Sequence, residues 1–197
     1  HPSEHAQREV ELRQALAIYR EPGVEGQKVI YAFWTLQWLL VEQAWAGVPG
    51  KWNEIESVWK EALVEARKSP GTEFLEISYI QSGLVQAKIV QAQYSEAEQL
   101  ALESLAMRLR LNGPEHLQTA WGYHVLSEAL RAQHKFREAL QAHRQALTIM
   151  RKALPSGHPS TATALTAVIR TLESADSSHA LADQVSLADL SQWESVF

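Results

Sequence analysis

The sequence predicts an all-α chain, built of antiparallel helical hairpins stacked as an α-solenoid of about nine helices. Three observations carry this. The first is composition. Of 23 acidic residues only Asp176, Asp183 and Asp189 are Asp, and nine Gly and seven Pro are few for 197 residues. Glu suits helix interiors better than Asp, whose short side chain competes for backbone hydrogen bonds. The second is a motif that recurs at 42 residues: Trp52-Asn53-Glu54-Ile55-Glu56, Tyr94-Ser95-Glu96-Ala97-Glu98 and Phe136-Arg137-Glu138-Ala139-Leu140. Each aromatic start is followed eleven residues on by Leu63, Leu105 or Leu147. The third is a Pro/Gly linker in the same register: Ser69-Pro70-Gly71, Gly113-Pro114-Glu115-His116 and Pro155-Ser156-Gly157-His158-Pro159. Such a period is the signature of stacked supersecondary units.

The elements follow in order. Residues 1–51 form a degenerate first unit, with helices at about 5–20 and 27–46. Its Arg13-Gln14-Ala15-Leu16-Ala17-Ile18 echoes Arg144-Gln145-Ala146-Leu147-Thr148-Ile149, so the chain begins on the second helix of a unit. The loop Ala46-Gly47-Val48-Pro49-Gly50 lengthens this unit. Regular units span 52–93, 94–135 and 136–177, with helices at about 52–68, 73–91, 94–110, 115–133, 136–152 and 159–175. Phe136, Ala139, Leu140, His143, Ala146, Leu147 and Met150 step by three and four, the spacing of one helical face. The turn Gln133-His134-Lys135 is short, which sets consecutive helices antiparallel. Residues 178–197 hold a last helix, at 178–194, expected to cap the array with a polar outer face. One continuous array is therefore expected over 1–197.

Several classes are disfavoured. Without Cys there is no disulfide framework and no thiolate site. Apolar stretches are broken well short of a membrane span, and His1-Pro2-Ser3-Glu4-His5 lacks the apolar core of a signal peptide. The composition is that of a soluble, cytoplasmic protein. The missing initiator Met predicts a piece of a longer chain. No phosphate loop, dinucleotide fingerprint or nucleophile elbow occurs. His1 and His5 have no third ligand nearby, His116 and His158 sit in linkers, and His143 reads as a packed residue. No enzyme activity, cofactor or metal site is expected.

Charge and Trp are both uneven. Residues 1–104 carry net −6, residues 105–152 net +5 and residues 153–197 net −4, which sum to the chain's −5. A basic middle suits an acidic partner. Alternatively Arg137, Arg144, Arg151 and Lys152 are a solvated outer face. Nucleic acid is a poor match to this balance. Five of seven Trp lie between Trp34 and Trp59. They form either a bulky local core or an exposed patch for self-association.

The repeat resembles the tetratricopeptide repeat, and in its 42-residue length and its Tyr94-Ser95-Glu96-Ala97-Glu98 and Gly113-Pro114-Glu115-His116 segments it is similar to the kinesin light chain type. The resemblance covers 52–175 and implies a right-handed superhelix with Ala97 and Ala139 at helix crossings. It also implies a concave groove, lined mainly by the first helix of each pair, that binds a partner peptide or helix. Carried onto this sequence, the groove positions are Tyr79, Ser82 and Gln86, then Trp121, His124, Glu128 and Arg131, then Thr163, Thr166 and Arg170. Trp121, His124, Arg131 and Arg170 are the expected anchors, since aromatic and Arg side chains dominate interface energetics. Trp121 could equally pack on its neighbouring repeat. The carboxylate grip of chaperone-binding members needs Lys and Asn where this chain has Ser82, Gln86 and Trp121, so that ligand is not expected. The segment Leu187–Phe197, with Trp193 among acidic residues, resembles cargo motifs of kinesin light chains, although a capping helix is the simpler reading. A second function remains open, a regulatory arm of a larger signalling protein such as a nucleotide-switched ATPase.

Overall fold

The computed structural model describes residues 46–68 and 75–177, together with residues 7, 9–11, 13, 14, 17, 36 and 40–44; the side chains of 62, 65–68, 75–77 and 79 are excepted. Among the described residues there are six full helices: α1 (Lys51–Lys68), α2 (Leu75–Val90), α3 (Tyr94–Asn112), α4 (Leu117–Ala132), α5 (Phe136–Ala153) and α6 (Pro159–Ser177). They match the expected regular helices to within a few residues. The helices expected at 5–20 and 27–46 lie mostly outside the described residues. So do Trp34 and Trp38, the side chain of Trp45, and all of 178–197 with Trp193.

The chain divides into two compact units, His1–Gln91 and Ala92–Phe197. In the first, α1 packs on α2. Its core holds Leu36, Leu40, Ile55, Val58, Trp59, Ile80, Leu84 and Val85, all at most 5% exposed. Trp59 is therefore core, as the local-core reading has it. Its indole fits because Gly83 faces it: a Cβ at Gly83 would stand 2.5 Å from Trp59 Cζ2 and Nε1. An ion pair ties the two helices, Lys88 Nζ to Glu56 Oε1 at 3.0 Å, with Lys60 on the same oxygen at 2.6 Å. Burial alone would raise the Glu56 pKa, but hydrogen bonds from Lys60, Lys88 and Gln91 outweigh it and hold it at about 2.

In the second unit α3 packs on α4, α4 on α5, and α5 on α6, with a lighter contact between α4 and α6. All seven residues of the expected α5 face, Phe136 to Met150, are buried. Ala97, Ala101, Ala129, Ala139 and Ala146 are fully buried, as crossings between close helices require. Gly122 does the same for α3 and α4. A Cβ there would meet Arg108 Cδ and Leu105 Cδ1 at 3.0 Å.

The turns follow the 42-residue register. Gly50, Ala92 and His134 occupy one repeat position and all have positive φ, at 77°, 59° and 60°. The linker His residues have a definite job. His116 Nδ1 accepts from the Gln118 backbone N–H, and His158 Nδ1 from that of Ser160, both at 3.1 Å. Each thereby caps a helix whose first N–H groups have no partner within it. This is why α4 starts at Leu117, two residues later than the periodicity suggests.

Candidate partner-binding face

The site is built on α4 and α6, which stand next to each other with α5 packed against both. On α4, residues 121, 124, 128 and 131 advance by three or four and share one face. On α6, residues 163, 166 and 170 do the same. The two sets are in register, since Glu128 and Arg170 are 42 residues apart.

Each expected site residue of this unit has a defined place. Trp121 is half-buried, packs against the core around Phe136, Leu140 and Leu147, and meets His124 edge-on at 5.6 Å between ring centres. Trp121 thus packs on the neighbouring repeat, as one of its two readings has it, and is only partly buried there. His124 is half-buried, and its Nδ1 is buried without a hydrogen-bond partner among the described residues. Burial lowers its pKa, opposed by the Glu128 carboxylate and reinforced by the Arg170 charge. Glu128 bridges the two arginines. Its Oε2 accepts from Arg131 Nη2 at 2.9 Å and its Oε1 from Arg170 Nη2 at 3.2 Å. Arg170 is 52% exposed, while Glu128 is 15% exposed. Thr163 and Thr166 are exposed and donate to the carbonyls of Pro159 and Ala162, one turn back.

The unit 1 positions are described by themselves. Ser82 is half-buried and its hydroxyl donates to Ser78 O at 2.9 Å. Gln86 is exposed, and the side chain of Tyr79 is outside the described residues.

Behind the α4–α6 face lies a polar core that the periodicity only hints at. His143 is fully buried, and its two ring nitrogens lie 3.0 Å from Ser127 Oγ and 3.1 Å from Thr171 Oγ1. The hydroxyls also reach the carbonyls of His124 (2.6 Å) and Ala167 (2.9 Å). A neutral imidazole has one N–H, so one hydroxyl donates to the ring and the other accepts from it. Burial pushes the His143 pKa down to about 3, helped by the nearby His124, Arg131 and Arg170. This neutral ring ties α4, α5 and α6 together and so sets the spacing of the α4–α6 face. On the far side of α4, Arg108 is also buried, with Nη1 on Gln118 O (3.0 Å) and Oε1 (3.2 Å). Neither network was visible as a spacing, because its members are 10 to 28 residues apart on different helices.

The remaining basic residues of the middle segment lie elsewhere. Arg137, Arg151 and Lys152 are exposed on α5, Arg144 half so, and Lys152 pairs with Glu115 at 2.8 Å. Among the described residues, no group of three His, Cys, Asp or Glu could hold a metal ion, and no helix is long and apolar enough to cross a membrane.

A stack of helical hairpins at 42-residue spacing, with small residues at the crossings, defines a helical-repeat protein. Residues 76–152 match the family model described as tetratricopeptide repeat, so that segment carries tetratricopeptide repeats. No curated protein matches the chain. Among solved structures it is similar to BtubC (BKLC) from P. vanneervenii, with TM-score 0.69 and 16% identity, over 98% of this chain and 73% of that one. It is also similar to two crystal structures of a kinesin light chain candidate from Podosopora anserina with nearly identical TPR-like repeats. Their TM-scores are 0.65 and 0.63, each at 19% identity, over 99% of this chain and 87% and 88% of theirs. At these identities the likeness is one of fold. Tetratricopeptide repeats are generally protein-interaction modules and typically carry no catalysis.

Proposed function

We propose that this chain is a non-catalytic, cytoplasmic interaction module that holds a partner peptide or helix on the concave side of its repeats. The observation that carries the reading is the α4–α6 face. There Arg131 and Arg170 are both held on Glu128, and Trp121 lies on the same face of α4, beside His124; aromatic and Arg side chains are the residue types that anchor interfaces. Trp121, His124, Glu128, Arg131, Thr163, Thr166 and Arg170 make this part of the groove, and Tyr79, Ser82 and Gln86 serve the same role within unit 1. The repeats are read as one array of units 52–93, 94–135 and 136–177 after a degenerate first unit, with 178–197 as the cap. The +5 charge of residues 105–152 favours an acidic partner.

The test is charge reversal. Arg131→Glu with Arg170→Glu should abolish capture of partners in a pull-down from native extract and leave the helical circular dichroism unchanged. Retained capture of the same partners would remove the assignment.

A further inference from the structure

We infer that Glu128 is a resident competitor for the ligand: its carboxylate occupies, between Arg131 and Arg170, the place that a carboxylate of a bound acidic peptide takes, and binding proceeds by exchange. This rests on the binding-face reading and adds to it a ligand chemistry and a gate.

Three observations support the exchange. First, Glu128 uses one oxygen for each guanidinium, and the arginines come from two different helices. A planar carboxylate is thus already held by one charge-assisted N–H···O bond from each of two arginines. Second, the donors are not used up. Each arginine gives one Nη2 bond to Glu128, and Arg131 Nε is buried with no hydrogen-bond partner among the described residues. A buried donor without an acceptor is costly, so an added acceptor at this point is favoured. Third, the local charges do not cancel. Two guanidinium groups face one carboxylate, and His124 beside them is biased to the neutral form by its burial. The half-exposed Arg170 leaves the bridge open to solvent on one side, so a peptide can enter without unpacking α4 from α5.

The exchange makes a prediction that a merely structural ion pair does not. A fluorescein-labelled oligo-glutamate peptide is titrated into the full chain, with oligo-lysine as control. Glu128→Gln removes the competitor and should tighten oligo-glutamate binding by about two- to fivefold, the size expected for a partly exposed ion pair. Arg131→Gln and Arg170→Gln should each weaken it, and oligo-lysine should not gain from Glu128→Gln. In the wild-type chain, the Arg131 Nε–Hε NMR signal should shift on adding oligo-glutamate. That readout serves even if Glu128→Gln folds poorly.

Weakening by the two arginine variants without tightening by a folded Glu128→Gln would overturn the competitor role alone and leave the binding face standing. Absence of the Arg131 signal shift would overturn it as well. Binding that none of the three variants alters would place the acidic ligand elsewhere and sink the face together with its gate. No binding of oligo-glutamate at all would overturn the inferred ligand chemistry.

Discussion

Trp59 and His143 occupy the same place in the repeat, two periods apart, and the two units solve that place differently. In unit 1 an indole fills it, and Gly83 opposite makes the room. In unit 2 an imidazole fills it, held by Ser127 and Thr171. Between them Ala101 occupies the middle copy, also fully buried. The three side chains differ in size and polarity, yet each is at most 2% exposed. The repeat therefore prescribes burial at this position, and the partners opposite decide which side chain is tolerated. A large apolar residue is coupled to a glycine, and a polar one to hydroxyls.

Acid should separate the units most strongly. His143 has a folded pKa of about 3 against an ordinary value of 6.5. Between these values the unfolded chain binds a proton that the folded unit does not. Stability therefore falls as pH drops from 6.5 toward 3, by up to about 1.4 kcal/mol per pH unit. Glu56 behaves differently. Its depressed pKa adds stability that is fully present above 4.5 and is lost as pH falls through that value toward about 2. Between pH 6.5 and 4.5, hydrogen-exchange protection, taken relative to the intrinsic rate at each pH, should thus fall in α5 and stay nearly unchanged in α1. Equal loss of protection in both would show that His143 is not the element responsible. His143→Leu should remove most of the slope.

Truncation comes next. His143→Ala opens a cavity in a well-packed core and should cost about 3 kcal/mol in chemical denaturation of unit 2. His143→Leu should cost clearly less, because Ser127 and Thr171 can both turn to the carbonyls of His124 and Ala167. Equal costs would mean that the hydroxyl bonds, and not the volume, matter most.

The smaller effect is at the glycine. Gly83→Ala drives a methyl group into the Trp59 ring and should destabilise unit 1 by about 1–3 kcal/mol. Trp59→Leu should rescue part of this loss. Additive effects of the two changes would show that the glycine and the indole are not coupled in the way described.

How much was legible depended on whether a residue acts within its own repeat copy or across copies. The helices and the buried α5 face follow from spacing along one chain segment. The crossing residues Ala97 and Ala139 and the groove positions came with the resemblance to the tetratricopeptide repeat, which put Glu128 and Arg170 one period apart. It treated them as separate contacts of a ligand, whereas the structure joins them with Arg131 in one ion-paired group. His116 and His158 read as linker residues, but a cap depends on where one ring nitrogen points. Arg108 gave no signal at all, since nothing in a helical stripe marks an Arg whose donors reach Gln118 ten residues on.

The sequence by itself determined the period, the order of the described helices and which face of α5 turns inward, because hydrophobic burial acts on every residue of a regular pattern and repeats with it. Only the tertiary structure decided the polar partnerships: Glu128 with two arginines, His143 with two hydroxyls, Lys88 with Glu56. A hydrogen bond is directional and is won or lost within a fraction of an ångström. Such pairs depend on how neighbouring helices come to rest, and no spacing along the chain records that.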